Sequence, residues 1–195
     1  SNLKQLTLAG VMYANDFGKS LPYEDAKKDI WLALLIENYA QVHGVRLCPA
    51  AAEVRNGTTW YARDMNAAWR WPSQVQSGLI YTGSYGINGW LYSDVGAYNG
   101  PPYFGNFSSI PKTTQTPFFF DAIWADAWPD PYQGPAIDLT RGSIDSNHIM
   151  GRLTIARHGV PKSGVPTKLS GKQKIPGSIN IGFVDGHVQP VKLEL

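Results

Sequence analysis

Histidines and aspartates are the residues of this sequence whose chemistry could be catalytic. An imidazole and a carboxylate within hydrogen-bonding reach can transfer protons at neutral pH. The sequence offers no accompanying motif: it has no nucleophile elbow, no H-E-x-x-H zinc-binding motif and no glycine-rich phosphate loop. It therefore favours a protein that is not an enzyme. A His/Asp-centred enzyme is the weakest alternative, with these candidates for its centre: His148, His158, Asp121 and Asp185.

The cysteine content limits the sulfur chemistry. Cys48 is the only cysteine, so the chain can form neither an internal disulfide nor a multi-cysteine metal site. A cysteine directly before a proline is most often a small buried hydrophobic residue. No catalytic residue, cofactor or metal-ligand set is predicted from this pattern.

Tryptophan rings suggest a second kind of chemistry, because a flat ring can pack against a sugar. Trp69 and Trp71 flank Arg70 in a stretch that resembles a loop, so they are the candidates for a ligand-facing surface. Trp90 and Trp124 lie within strand-like runs and are predicted to be core residues. A surface carbohydrate- or ligand-binding module that uses aromatic loops is therefore a second functional hypothesis.

The composition limits the fold classes and the kinds of partner that this chain can have. The 195 residues are 43% hydrophobic and 16% charged, which is typical of a folded globular chain. The net charge of +2, without a block of five like charges, gives no reason to expect nucleic acid as a partner. The longest apolar run, Ile30 to Ile36, is far shorter than the roughly 18 to 20 residues that cross a bilayer. We predict one domain, with a helical part over 1–44 and a strand-and-loop part over 45–195.

The helical part contains two predicted helices. Apolar residues recur at helical spacing from Asn2 to Phe17, and Gly18 is a suitable terminator. A second helix is predicted from Glu24, an acidic residue suited to a first turn, to a terminator at Gly44.

The remainder of the chain shows strand-like runs separated by loops rich in glycine and proline. Since the helices come first and the strands follow, the order favours an α+β fold over a parallel α/β sheet. Strands are predicted within three runs: Leu79 to Trp90, Phe118 to Trp124 and Leu153 to Ala156.

The last seventeen residues predict a β-hairpin. Apolar side chains alternate on both sides of Asp185-Gly186 within Ile179 to Leu195. An Asp-Gly pair between two alternating arms is a strong hairpin signal and predicts a type I′ turn. Asp185 is expected to serve this turn, and His158 to fix the approach to the hairpin.

A series of motifs resembles one family of proteins in both content and order. The segments are N-L-K-Q-L-T-L-A from Asn2, Y-A-N-D-F-G-K-S-L-P from Tyr13, L-C-P from Leu47, S-Y-G-I-N-G-W from Ser84, D-A-x-W-x-D from Asp121, R-H at Arg157-His158, and N-x-x-F-x-D-G-H-V from Asn180. Together they resemble bacterial prepilin-like proteins with a C-terminal His-x9-Asp-Gly signature. That family is similar to the pseudopilins of type II secretion and is abundant in planctomycetes, verrucomicrobia and their relatives.

The resemblance implies a pilin-like fold, in which an N-terminal helix packs on an antiparallel sheet. It also implies that the sheet ends in a C-terminal β-hairpin and that the loops are long and rich in glycine, proline and aromatic residues. A subunit of this kind needs no catalyst. The family signature then has a structural role, carried by His158, Asn180, Phe183, Asp185 and Gly186.

The same resemblance implies a structural subunit of a cell-envelope filament or of a type II secretion-like apparatus. Its implied partners are other pilin-like subunits, met through the N-terminal helix, and envelope or secretion-apparatus proteins. In that family a membrane helix precedes the position of Ser1 and anchors the precursor in the inner membrane. The soluble domain is then expected to be periplasmic or extracellular.

Two further expectations concern loops. His158 and Asp185 are separated by 26 residues instead of nine, so the segment Pro161 to Gly177, with Lys162, Lys168, Lys172 and Lys174, is predicted to be an exposed, mobile basic insertion. Related pseudopilins bind calcium in a C-terminal loop, so the resemblance also implies a structural calcium ion. Its candidate oxygen ligands are Asp121, Asp126, Asp130, Asp138 and Asp145, which lack EF-hand spacing.

Overall fold

The computed structural model describes residues 1–25, 29–53, 56, 61, 64–94, 104–170 and 174–194, with the side chains of all but Asp25 and residues 146–148. Its architecture is α+β: a long N-terminal helix packs against a five-stranded, mainly antiparallel sheet. None of the described helices combines the length and the apolar character that a bilayer span requires.

Helix α1 runs from Asn2 to Phe17, as predicted. The Ser1 side chain accepts a hydrogen bond from the backbone N–H of Lys4 at the first turn. Gly18 ends the helix in the left-handed conformation, with φ of 68°. The helix contacts the sheet through a buried face of small and apolar residues: Leu3, Leu6, Thr7, Ala9, Gly10, Tyr13 and Ala14.

The predicted second helix, from Glu24 to Gly44, is wrong over most of its length. Strand β1 (Glu24–Asp25) pairs with β2 (Asp29–Ile30), and helix α2 spans only Trp31–Leu35. Beyond this short helix the chain turns, with positive φ at Ala40 and Gln41, and Gly44 lies inside a 3-10 helix, His43–Arg46. Asp29 has φ of 77°, which an α-helix cannot accommodate. Its carboxylate accepts hydrogen bonds from the backbone N–H groups of Ile30 and Gln74, and these bonds hold the turn.

The remaining strands form two sheets. Strands β3 (Trp69–Pro72) and β4 (Ile80–Gly83) pair with each other. The five-stranded sheet has the order β7-β5-β6-β8-β9 and is antiparallel except between β5 and β7. Its strands are β5 (Tyr85–Asn88), β6 (Pro117–Asp121), β7 (Asp126–Ala127), β8 (Ser178–Phe183) and β9 (Val188–Lys192).

The C-terminal hairpin of β8 and β9 is confirmed, but its turn is not type I′. A type I′ turn needs positive φ at both central residues. Of the Asp185-Gly186 pair only Gly186 has a positive φ, at 91°. The N–H of Phe183 donates to the carbonyl of His187, and the N–H of Gly186 donates to that of Phe183. The connection is thus a three-residue loop that ends in a left-handed glycine.

Two other predictions for the C-terminal half are wrong. Leu153 to Ala156 is buried but forms no named strand; it follows a 3-10 helix, Ser146–Arg152. The segment Pro161 to Gly177 is not exposed throughout, because Val165 and Ile175 are buried in the core and the Leu169 N–H donates to the Ile137 carbonyl. Its described lysines are exposed, and Lys172 lies outside the described residues.

Candidate functional site

The motif segments converge on one buried carboxylate. Asp121 is the last residue of β6 and is completely buried. Residues from separate motifs surround it: Cys48, Tyr85, Arg157, His158 and Asn180. This group, called the Asp121 cluster below, brings together five of the motifs, although their residues span more than a hundred positions of the chain.

The sheet places these residues next to one another. Tyr85 of β5 is the direct partner of Asp121 in the β5–β6 ladder. Asn180 lies on β8, the other neighbour of β6. His158 exchanges two backbone hydrogen bonds with Ser178 at the start of β8, of 3.0 and 2.8 Å. The histidine is therefore fixed to the hairpin by its own backbone, as the sequence predicted.

The carboxylate of Asp121 is fully engaged. Its Oδ2 lies 3.0 Å from His158 Nε2 and accepts a 2.7 Å hydrogen bond from the backbone N–H of Asn180. Its Oδ1 lies 3.2 Å from Nη1 of Arg157, whose side chain is also completely buried. A buried charge is tolerated when it is paired and hydrogen-bonded in this way.

Arg157 joins three stretches of backbone. Beyond its ion pair with Asp121, its guanidinium donates hydrogen bonds to backbone carbonyls from separate parts of the chain: Asp64, Met65, Ser84 and Ala122. The planar, multiply donating guanidinium suits this arrangement better than an ammonium would. The Asp121–Arg157 pair consequently connects the sheet to the loops around it.

His158 is unusual because a single ring nitrogen, Nε2, faces three polar groups of the described residues. Nε2 lies 3.0 Å from Asp121 Oδ2, 3.6 Å from Cys48 Sγ and 2.9 Å from Asn180 Nδ2. In a Ser- or Cys-His-Asp triad the nucleophile and the carboxylate face different ring nitrogens. One nitrogen can then accept the proton of the nucleophile while the N–H of the other stays bonded to the carboxylate. The observed arrangement lacks that division.

The pKa values follow from these contacts. The hydrogen bond to Asp121, and then that to Cys48, raises the pKa of His158 to about 9 although burial opposes this. Burial raises the pKa of Asp121, but the hydrogen bond from His158, the charge of Arg157 and the Asn180 N–H together lower it below its usual value. Asp121 and His158 therefore form an ion pair at neutral pH.

Because of this ion pair, we expect the protein to lose stability at alkaline pH. The folded pKa of His158 lies above its unfolded value of about 6.5, so the stabilisation is complete below pH 6.5 and is lost as the pH rises toward about 9. The shift corresponds to about 3 kcal/mol, which we reduce to about 1–2 kcal/mol because the side chain is 28% exposed. Urea denaturation between pH 6 and 9.5, in buffer with a chelator, measures it.

The matched variants for this measurement are His158→Asn and His187→Asn. His158→Asn is expected to abolish the decline between pH 6.5 and 9, whereas His187→Asn is expected to keep it because His158 is still present. An equal decline in the parent and in His158→Asn would contradict the assignment.

A second buried pair lies beside the first. Asp126 Oδ1 is 2.6 Å from Nη1 of Arg152, and the Tyr92 hydroxyl donates to Asp126 Oδ2 at 3.1 Å. Burial raises the pKa of Asp126 to about 6, against the opposing effects of Arg152 and Tyr92. Sequence reasoning did not identify either arginine as a partner. The sequence contains one signal for this pairing: the two aspartates are five residues apart, and so are the two arginines. Asp121 pairs with the later arginine, Arg157, and Asp126 with the earlier one, Arg152.

The other signature residues lie in the hairpin turn. Asp185 Oδ1 accepts hydrogen bonds from the backbone N–H and from Nδ1 of His187, at 3.1 and 2.6 Å. The His187 ring stacks on Phe183 with centroids 4.4 Å apart. Asp185 and Gly186 therefore serve the turn, and the structure brings only His158 and Asn180 of the signature into the Asp121 cluster. The side chain of His148 lies outside the described residues.

The prediction of a tryptophan surface is wrong. Trp69 and Trp71 are both completely buried. Strand β3 pairs along its whole length with β4, and Trp69 Nε1 donates to the carbonyl of Tyr85 at 3.0 Å. Arg70, the polar residue between them, lies over the ring of Tyr61 and is itself buried. What looked like a loop is a strand covered on both faces.

The aspartates weighed for calcium do not form one site. Asp121 and Asp126 pair with arginines, while Asp130 and Asp138 accept backbone hydrogen bonds within their own turns. Within the described part of the chain, one group of three or more histidine, cysteine or acidic residues could hold a metal ion. Its members are Cys48, Asp121 and His158.

Comparison of the chain with protein-family models, with curated proteins and with solved structures finds no match in any of the three. The resemblance to prepilin-like proteins therefore depends on the motifs alone.

Proposed function

We propose that this chain is a structural subunit, pilin-like or pseudopilin-like, of a cell-envelope filament or a type II secretion-like apparatus. The observation that carries the proposal is the arrangement of α1. The helix lies against an antiparallel sheet that the C-terminal hairpin completes, and it leaves apolar side chains exposed on its other side.

The exposed side of α1 supports an assembly role. Leu8 is 41% and Met12 is 52% exposed, and they lie four residues apart, so they share one face of the helix. Phe17, at the end of the helix, is 62% exposed. Lys4 Nζ donates to the carbonyl of Gly186 at 2.7 Å and ties the first turn of the helix to the hairpin. A helix that is held on one side and exposes Leu8 and Met12 on the other is suited to packing against further subunits.

The Asp121 cluster supports a structural role for the signature residues. His158 and Asn180 join β6 to the hairpin, and Arg157 joins three backbone segments. The enzyme alternative gains no support, since Cys48 and Asp121 face the same nitrogen of His158. The ligand-binding alternative loses its basis, since Trp69 and Trp71 are buried.

The proposed partners are other pilin-like subunits, contacted through α1, together with envelope or secretion-apparatus proteins. The proposed location is the cell envelope, with a precursor anchored in the inner membrane. The coding sequence upstream of Ser1 provides a direct check. A short basic leader, a glycine-type cleavage site and about twenty apolar residues are expected there, and their absence would contradict the assignment.

Crosslinking tests the role of α1. In the full-length protein in its own host, Met12→Cys is expected to give multimers with a short thiol crosslinker, because α1 faces its neighbours. The parent is a suitable blank since its only cysteine, Cys48, is 1% exposed. Adding Leu8→Glu is expected to reduce the multimers about tenfold or more, since burying a leucine contributes about 1.5–3 kcal/mol.

Ile137→Cys is the matched control, because Ile137 is 66% exposed and lies outside α1. It is expected to give no multimers above the parent. Equal crosslinking from Ile137→Cys, or no effect of Leu8→Glu, would contradict an interface on α1.

A further inference from the structure

We propose that Cys48, Asp121 and His158 bind a divalent metal ion of the zinc type, with Sγ, Oδ2 and Nε2 as the ligand atoms. The three residues come from distant parts of the chain, and their ligand atoms lie within 4.8 Å of one another. This inference is independent of the proposed assembly role.

The first argument is the convergence of three donor groups on one point. A ring nitrogen carries at most one proton, so His158 Nε2 cannot donate to both Asp121 and Cys48 in single full-strength hydrogen bonds. Yet both lie within 3.6 Å of it. A cation between them would accept a lone pair from each of the three atoms at once. The cluster therefore offers three ligand atoms to a metal ion, which would replace the contact of 2.9 Å between Nε2 and the Asn180 amide.

The second argument is geometry. Zinc binds cysteine sulfur at about 2.3 Å and histidine nitrogen at about 2.0–2.1 Å, so a tetrahedral site separates these two ligand atoms by about 3.5 Å. The observed distance between Cys48 Sγ and His158 Nε2 is 3.6 Å. The same reasoning gives about 3.3 Å for nitrogen and carboxylate oxygen, against 3.0 Å observed between Nε2 and Asp121 Oδ2. These two separations agree with a tetrahedral site to within a few tenths of an ångström, and the third pair, Cys48 Sγ and Asp121 Oδ2, lies within 4.8 Å.

The third argument is that every ligand is oriented by an outer partner. Asp121 is held by Arg157 and by the N–H of Asn180. The hydroxyl of Tyr85 makes a side-chain hydrogen bond with Cys48. The backbone of His158 is fixed to β8. Such partners orient metal ligands and strengthen binding.

The ligand set selects the class of metal. Sulfur and nitrogen favour zinc and related transition metals, whereas calcium takes oxygen ligands only. A thiolate and a carboxylate supply two negative charges to the ion, and Arg157 shares the charge of the carboxylate. His158 is 28% exposed and the other two residues are buried, so the ion would enter past the imidazole and keep one position for water.

Cobalt titration tests the proposal. Co²⁺ added to the purified, chelator-treated protein is expected to bind at one equivalent, with a thiolate-to-cobalt charge-transfer band and the visible bands of a tetrahedral ion. Zn²⁺ is expected to displace it and to raise the melting temperature. Cys48→Ala is expected to remove the charge-transfer band, and Tyr85→Phe to weaken affinity about 10- to 100-fold.

The chain contains its own control, an exposed His–Asp pair without a cysteine. His187 Nδ1 lies 2.6 Å from Asp185 Oδ1, and His187→Asn is expected to leave the cobalt spectrum unchanged. Binding without a charge-transfer band, no binding at all, or a spectrum lost in His187→Asn would overturn the proposal. If Cys48→Ala does not fold, the charge-transfer band of the parent protein still tests the proposal, because Cys48 is the only cysteine in the sequence.

Discussion

Asp121→Asn is expected to lower the free energy of unfolding by about 3–5 kcal/mol, a large part of the stability of a domain this size. The substitution keeps the shape of the side chain but removes its charge. Arg157 would then be a completely buried cation without its counter-ion, because Asp121 is the acidic group with which it pairs. Urea or guanidinium denaturation of the parent and the variant, with their midpoints and slopes compared, measures the loss.

The matched control is Asp16→Asn, the same chemical change at an exposed position of α1. It is expected to change stability by no more than about 0.5 kcal/mol. If both variants have the same denaturation midpoint as the parent, the Asp121–Arg157 pair does not hold the fold together. That result would contradict the structural role of the Asp121 cluster.

Gly10→Val is expected to destabilise the protein by about 2–3 kcal/mol, although glycine is a poor helix former. A β-carbon at Gly10 would lie 2.7 Å from the rings of both Phe118 and Phe119. Those rings cannot move aside, since both are fully buried and their centroids are 4.3 Å apart. Helix α1 would have to lift from β6. Thermal and chemical unfolding of a graded series, Gly10→Ala and then Gly10→Val, measures the effect.

Gly134→Val is the control for this series. Gly134 is exposed, and a β-carbon added there would meet no other atom within 4 Å, so the change is expected to be nearly neutral. A Gly10→Val variant as stable as the parent would mean that α1 does not rest on the phenylalanines.

The elements that could be predicted are those whose signals are local. Helix α1 has its apolar spacing, its Ser1 cap and its Gly18 terminator within eighteen consecutive residues. The C-terminal hairpin likewise carries both arms and its turn in one stretch. Even there the turn type depended on Asp185, whose backbone could not be inferred from the Asp-Gly pair.

The elements that could not be predicted depend on distant residues. Asp29 breaks the expected second helix because its carboxylate binds backbone at Gln74, 45 residues away. Trp69 is buried because β4 covers it and Gly83 leaves room for its ring. The members of the Asp121 cluster belong to separate motifs, and no local pattern indicates that Cys48 and His158 meet across 110 residues.

The position of β8 in the sheet has a consequence for biosynthesis. Strand β8 lies between β6 and β9, yet the N–H of Asn180 that binds Asp121 comes 59 residues later in the chain. At about 5–20 residues per second, the ribosome needs about 3–12 s to supply it. During that interval the edge of β6 that pairs with β8 is open, so its backbone N–H and C=O groups lack their partners. Until translation has passed the hairpin, this open edge can pair with a wrong strand.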